Sequence, residues 1–220
     1  MANMNMGMFR RIFGSVDASS NEHGLLFGFE PEILFALSRC IETRVFLEIG
    51  IFDGRTASWM LSEAGWIEKY YGVDILDVGQ GDSEMSAIAP QNMGDDIKRF
   101  RSQGVRVGHA AGDSRFHPML FEHGSKELKP EMVAPVDMVF VDGDHSYESV
   151  KRDSEVARQS LRDGCGIIVW HDYGHKTGTI AGVTKYINEV NIAHGDVICL
   201  VEGTCMCFEM VGYDFVFAKR

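Results

Sequence analysis

The stretch Val136, Asp137, Met138, Val139, Phe140, Val141, Asp142, Gly143, Asp144, His145, Ser146, Tyr147, Glu148 is an apolar run that ends in a burst of acid and imidazole. It reads as a buried strand that delivers polar side chains to its carboxyl end. In an open α/β sheet ligands bind in the crevice outside that edge. A second run, Gly164 to Trp170, ends in the same manner with His171, Asp172 and Tyr173. Two strands that both finish in Asp and His point to a site, and the residue types point to a metal.

Outward from this pair, the chain alternates strands and helices. Pro31 suits the first turn of a helix carrying Ile33, Leu34, Leu37 and Ile41 at helical spacing. Arg44 to Gly50 is a short apolar strand, and Ile51 to Gly54 turns it into a helix with Thr56, Trp59, Met60 and Leu61. A second strand, Tyr70 to Ile75, closes on Asp74. Leu76 to Pro90 is a Gly-, Asp- and Ser-rich loop at the ligand edge, followed by a helix over 95–103. A strand over Val105 to Ala111 then ends in Gly112, Asp113 and Ser114, and a surface helix over 119–129 leads to the opening stretch. A helix from Tyr147 to Leu161, the fifth strand and a helix over 182–191 complete the alternation. The strand-rich end, with runs at 196–211 and from Tyr213, has no helix between its runs, so consecutive strands there are antiparallel.

The expected fold is therefore α/β: a Rossmann-like, doubly wound, mostly parallel sheet of seven strands with a C-terminal antiparallel hairpin. Residues 1–28, with several Met and the basic pair Arg10 and Arg11, read as a loose, mobile N-terminal arm whose end, Gly24 to Phe29, either folds over a ligand or is a disordered terminus. Residues 29–220 read as a single domain.

Composition narrows the partners. The chain has 220 residues, 45% hydrophobic and 24% charged, with a net charge of -11. So acidic a chain lacks the basic footprint of a nucleic-acid or anionic-membrane binder. It contains neither a run long enough to span a bilayer nor the order of a signal peptide, so a cytoplasmic location is expected. Five cysteines without C-x-x-C spacing indicate neither a disulfide frame nor a zinc knuckle.

The glycine loop carries the next distinction. A dinucleotide-binding loop wants G-x-G-x-x-G, but here Phe52 stands at the second glycine and Glu48 precedes the first. A carboxylate at that position repels a pyrophosphate. The order E-x-G-x-x-x-G, an acid closing the second strand about 20 residues on, then G-D-S, resembles the class I S-adenosylmethionine-dependent methyltransferases. Within them, Phe140 to Glu148 together with Gly166 to Tyr173 is similar to the macrocin-type sugar O-methyltransferases and, more distantly, to catechol O-methyltransferase.

The resemblance implies a cofactor site for S-adenosylmethionine with Glu48 and Gly50 at its amino acid end. Phe52, Gly54 and Thr56 would continue that loop, Asp74 and Ile75 would meet the ribose, and Asp113 with Ser114 the adenine. It further implies that Asp142 and Asp172 hold a divalent metal, Mg²⁺ by analogy, and that His145 is the base that takes the acceptor proton. His171 stands where the relatives usually carry Asp, Glu or a His that is not a ligand, and as an imidazole ligand it would favour a softer ion such as Mn²⁺ or Fe²⁺. Asp144 is open between ligand and helix cap. The activity implied is metal-assisted O-methyl transfer to a hydroxylated small molecule such as a sugar or polyphenol. An iron-dependent hydroxylase similar to the cephalosporin hydroxylases, or a non-catalytic cofactor binder, are the alternatives; nothing in the sequence defines an oligomeric state.

Overall fold

The computed structural model describes residues 1–17, 26–76, 109–194 and 197–213. One mixed sheet of eight strands organises the chain. In chain order these are β1 (Ala2–Met4), β2 (Val45–Ile49), β3 (Lys69–Ile75), β4 (Phe116–Phe121), β5 (Met138–Val141), β6 (Gly166–Trp170), β7 (Cys199–Val201) and β8 (Cys207–Val211). The helices are α1 (Met6–Phe13), α2 (Glu30–Cys40), α3 (Arg55–Glu63), α4 (Tyr147–Ser160) and α5 (Ala181–Ala193).

Across the sheet the strands run β1-β7-β8-β6-β5-β2-β3-β4. Only β8 is antiparallel to its neighbours, to β6 on one side and β7 on the other. Gly203, at φ 82°, lies in the turn between β7 and β8. The central strands β2, β5 and β6 are buried at every residue, the signature of a parallel sheet covered on both faces. Two apolar clusters supply that cover, one around Phe46, Phe140 and Phe208 and the other around Leu47, Val139 and Trp170.

The chain leaves β2 toward β3 and β4 and returns to β5 on the opposite side, so the strand order reverses between β2 and β5. The carboxyl ends of this pair are where a crevice opens. Gly50 and the Asp142–Gly143 backbone meet there: a Cβ on Gly50 would lie 2.5 Å from the carbonyl carbon of Asp142 and 2.7 Å from Gly143 Cα.

Two readings of the sequence are corrected. Among the described residues the sheet has eight strands, because the N-terminal arm, where described, is built into the fold. Ala2–Met4 pairs in parallel with Cys199–Val201, and α1 buries Phe9 and Phe13 against Phe208. A three-residue strand is too short to show alternation, and its partner lies almost two hundred residues away, so no local pattern announces it. Arg10 then clamps the arm to α2 by a bidentate ion pair with Glu32, at 2.8 and 2.7 Å.

The second correction concerns 105–129. Residues 105–108, like the loop after Leu76 and the helix expected over 95–103, lie outside the described residues. From His109 the chain turns, then enters β4 at Phe116, where a helix was expected over 119–129; the helical part is a short 3₁₀ turn, Gly124–Glu127. Pairing of Val73 with Met119 and Ile75 with Phe121 overrides the weak helical pattern, since a cross-strand partner contributes what local propensity does not. Trp170, which the sequence leaves open between core and rim, is core: it is fully buried with its indole N–H on Ser154 Oγ at 2.9 Å.

Candidate functional site

β5 and β6 are parallel neighbours, Val141 beside Trp170, so the residues that follow them, Asp142 and His171, emerge side by side. The first turn of α4 then begins at Ser146, whose hydroxyl caps the N–H of Ser149. Asp144 accepts the N–H of Ser146 at 2.7 Å and is exposed, which assigns it to shaping the turn. With Asp144 so engaged, His145 is carried back over the strand ends.

Asp172 is the centre of the cluster. Its Oδ2 lies 2.8 Å from His145 Nε2 and 3.2 Å from His171 Nδ1. Its Oδ1 is 3.8 Å from His175 Nε2. Asp172 also sits at φ 61°, a left-handed conformation that Asp tolerates better than most residues and that recurs at functional turns. Oxygens of Asp142 and Asp172 and a ring nitrogen of His145 lie within 4.8 Å of one another.

The electrostatics follow from shared burial. Burial pushes the Asp142 carboxyl up, with His171 pulling it back. Burial acts upward on Asp172 as well, but the His145 hydrogen bond and the adjacent His171 hold it well below the usual carboxylate range. For His145 burial favours the neutral ring, and Asp172 outweighs it, raising the pKa above the ordinary histidine value. His171 is likewise raised against its burial, first by Asp142. One imidazole nitrogen stands out: His171 Nδ1 is buried, 3.3 Å from Asp142 Oδ1 and 3.2 Å from Asp172 Oδ2, yet aligned with neither as a hydrogen bond. Two carboxylate oxygens around a buried nitrogen with no aligned hydrogen bond are donor types that a divalent cation accepts.

The other face of His171 shows a residue that the sequence reading missed. Glu30, the first residue of α2, is 3% exposed and lies 3.1 Å from His171 Nε2. Burial acts to raise its carboxyl, but the His171 contact and two backbone N–H groups lower it below the usual value. The only signal in the sequence was an acid just before a helix-starting proline, which reads as ordinary helix N-terminal chemistry.

The glycine loop lies beside this cluster. Gly50 (φ 95°), Phe52 (φ 48°) and Gly54 (φ 78°) give it left-handed turns. Gly54 is the N-cap of α3, and Thr56 is buried in the first turn. Asp74 closes β3 with one oxygen on the Phe52 N–H and the other on that of Ile75, both at 2.7 Å. The acid that ends the second strand therefore holds the glycine loop in register with it. Glu48 is fully buried and accepts the Tyr70 hydroxyl at 2.9 Å. Burial drives this carboxyl well above the usual range, partly opposed by Tyr70 and reinforced by Asp142, Asp74 and Asp53.

Asp113 and Ser114 are not gathered with these residues. Both precede β4, whose first residue pairs with Tyr70 near the start of β3, so they stand toward the amino edge of the sheet. The Asp113 carboxylate is taken by Arg115, which also binds the carbonyls of Leu61 and Ile67. A parallel ladder puts the two ends of a strand at opposite edges, so a motif that precedes its strand cannot share the crevice of one that follows.

A buried acid also underlies the Asp142–His145 turn. Asp153 on α4 is 1% exposed, and a Cβ on Gly143 would sit 3.6 Å from its Oδ2. Neither of its oxygens has a hydrogen-bond partner among the described residues, and Arg152 approaches only to 3.6 Å. Burial pushes its pKa up to about 6, with Ser125 and Arg152 drawing it down. An unfolded aspartate titrates near about 3.9, so between these values the folded chain binds the extra proton and stability falls as pH rises. Asp153→Asn is expected to gain about 1–3 kcal/mol at pH 8 and nothing at pH 4. Urea unfolding at the two pH values checks this, and an equal shift at both would contradict it.

Residues 47–173 match the family described as a methyltransferase domain. Among curated proteins the chain is similar to an uncharacterized protein of Acanthamoeba polyphaga mimivirus, 26% identical over 155 residues. That match covers 70% of this chain and 63% of the relative, so the chain spans less than two thirds of the relative's length. Among solved structures it is similar to the O-methyltransferase TomG of Streptomyces achromogenes in complex with SAM, with a TM-score of 0.51 and 16% identity, over 92% of this chain and 86% of that one. A cofactor-bound protein from MTB gives 0.53 and 15%, over 91% and 85%. MycE methyltransferase in complex with Mg, SAH and mycinamycin VI gives 0.53 and 16%, over 88% and 52%. At such identities the likeness is one of fold, and it agrees with the mostly parallel sheet and its antiparallel final strand.

Proposed function

Since the chain belongs to the methyltransferase-domain family, we propose that it moves a methyl group from S-adenosylmethionine to a hydroxyl of a small molecule, with a divalent cation at the strand ends. The observation that carries this reading is the 2.8 Å contact of His145 with Asp172 in a cluster that also holds Asp142. A base, an orienting acid and a second carboxylate converge where β5 and β6 end. When bound, the sulfonium cofactor supplies an activated methyl group and the cation lowers the pKa of a hydroxyl beside it.

The chain's own residues do the rest. Asp142, Asp172 and the Nδ1 atom of His171 would hold the cation, while the nearby Glu48 is committed to the Tyr70 hydroxyl. His145 takes the acceptor proton, and Asp172 orients its ring and stabilises the imidazolium that results. Gly50, Phe52, Gly54 and Thr56 form the loop against which the cofactor would lie, and Asp74, which ends β3 and holds that loop through the Phe52 N–H, would meet the ribose with Ile75 beside it. The acidic balance of the chain suits a cationic cofactor and a neutral acceptor.

Calorimetric titration of S-adenosylhomocysteine, followed by transfer of labelled methyl to a panel of sugars and polyphenols with and without chelator, tests the reading. Binding of the homocysteine product and chelator-sensitive labelling of hydroxyls are expected. Labelling confined to nitrogen acceptors, or full activity under chelation, would count against the hydroxyl or the metal respectively.

A further inference from the structure

Glu30 stands before the segment that matches the family, yet its carboxylate is among the most firmly held on the strand-end edge. Oε1 accepts the N–H of Cys205 at 2.9 Å, from the turn leading into β8. Oε2 accepts the N–H of Phe27 at 2.8 Å and lies 3.1 Å from Nε2 of His171. Swinging this side chain away would strand two backbone donors, so the carboxylate is fixed from both sides.

Its chemistry then dictates that of His171. An ionised carboxylate only accepts, so the hydrogen in the 3.1 Å contact belongs to the imidazole Nε2. In a neutral ring that leaves the lone pair on Nδ1, the buried atom that sits 3.3 Å from Asp142 Oδ1 and 3.2 Å from Asp172 Oδ2 without a hydrogen bond to either. Groups turned toward one another in this way call for positive charge among them, either a proton on Nδ1 or a cation that takes its place. An imidazole whose far nitrogen is held by a carboxylate is the usual way a metal-binding histidine is oriented.

We propose that Glu30 is a positioning residue for the divalent cation: by accepting the Nε2–H of His171 it selects the tautomer whose Nδ1 joins Asp142 and Asp172 as a ligand. This rests on the metal reading given above. It also couples the N-terminal part of the chain to the site, because the carboxylate that orients His171 is the one that anchors Phe27, which is 68% exposed. A nitrogen ligand shifts the site away from Mg²⁺, and Mn²⁺, which binds the two carboxylates, reports that nitrogen through its unpaired electrons.

The experiment titrates Mn²⁺ alone into the full chain, by calorimetry and by pulsed EPR, for the wild type, Glu30→Gln, His171→Asn and the double variant. S-adenosylhomocysteine affinity is measured on each as a control for folding. Glu30→Gln is expected to weaken Mn²⁺ about 10- to 100-fold, with S-adenosylhomocysteine affinity unchanged. In the His171→Asn background the same change is expected to add nothing, since a residue acting through His171 has no effect once it is gone. Wild-type Mn²⁺ should show imidazole nitrogen coupling that His171→Asn removes.

A Glu30→Gln chain that binds Mn²⁺ like the wild type would overturn the inference and leave the metal reading standing. So would an undiminished Glu30 effect in the His171→Asn background, which a merely structural role would produce. Should Glu30→Gln fail to fold, absence of nitrogen coupling in the wild type, or its survival in His171→Asn, would still refute the proposal. Absence of Mn²⁺ binding by a wild type that takes S-adenosylhomocysteine would remove the metal reading and the inference with it.

Discussion

Asp172→Asn is expected to bind S-adenosylhomocysteine as the wild type does and to transfer methyl groups about 10³-fold more slowly. Asn keeps the size of the side chain and tolerates the left-handed backbone at φ 61°, so the turn after β6 survives. What disappears is the charge shared by the two nearest imidazoles, His145 at 2.8 Å and His171 at 3.2 Å. His145 loses the partner that orients its ring and stabilises its protonated form, and the proposed cation site loses a carboxylate. Both losses fall on the same step, so they are not additive, and the expected factor is that of one large effect. Single-turnover rates with calorimetry on the same preparation separate chemistry from binding. A slowing of less than about 10-fold, with unchanged cofactor affinity, would remove Asp172 from the centre of the mechanism.

Gly50→Ala is expected to cost more than about 3 kcal/mol, enough to abolish soluble expression of a marginally stable chain. Two costs add. The backbone at φ 95° disfavours any Cβ, and that Cβ would lie 2.5 Å from the Asp142 carbonyl carbon, a backbone atom with nowhere to move. Gly203→Ala is the matched control: its φ is 82°, but nothing lies within 4 Å of its Cβ position. It should cost only the backbone term, about 1–2 kcal/mol. Equal melting temperatures for the two variants would show that β2 and β5 do not need this close approach.

Both expectations come from the carboxyl edge of the sheet, Gly50 at the reversal of strand order between β2 and β5 and Asp172 just past β6, the neighbour of β5, and the sequence made that edge visible. The apolar runs that end at Asp142 and His171 are buried on both faces, and period and length are enough to recognise such strands. Glycines and acids after a strand mark its carboxyl edge, which is why the sequence could place Gly50, Asp74, Asp142, His145 and Asp172 there. The roles of Asp144 and Trp170 were less legible. Asp144 differs from Asp142 only in which partner it finds, and here that partner is the N–H of Ser146 two residues on. Trp170 differs from a rim residue only in the direction of its side chain, which the hydroxyl of Ser154 settles.

What was misread shares a physical cause. A strand such as Ala2–Met4 exists because Cys199–Val201 is there to pair with it, and β4 displaces an expected helix because β3 offers a ladder. Long-range pairing supplies that stabilisation, and no local window contains it.

The sequence by itself determined the parallel sheet, the order of its motifs and the acids and imidazoles at its carboxyl edge, because burial on both faces and the turn after each strand leave local patterns. Only the tertiary structure decided that Asp113 and Ser114 stand away from that edge, that Asp74 holds the glycine loop, and that Glu30 closes the far side of His171. Each of these depends on which buried donor a carboxylate meets across the fold, and a buried polar group takes the partner that space offers rather than the one its neighbours in sequence suggest.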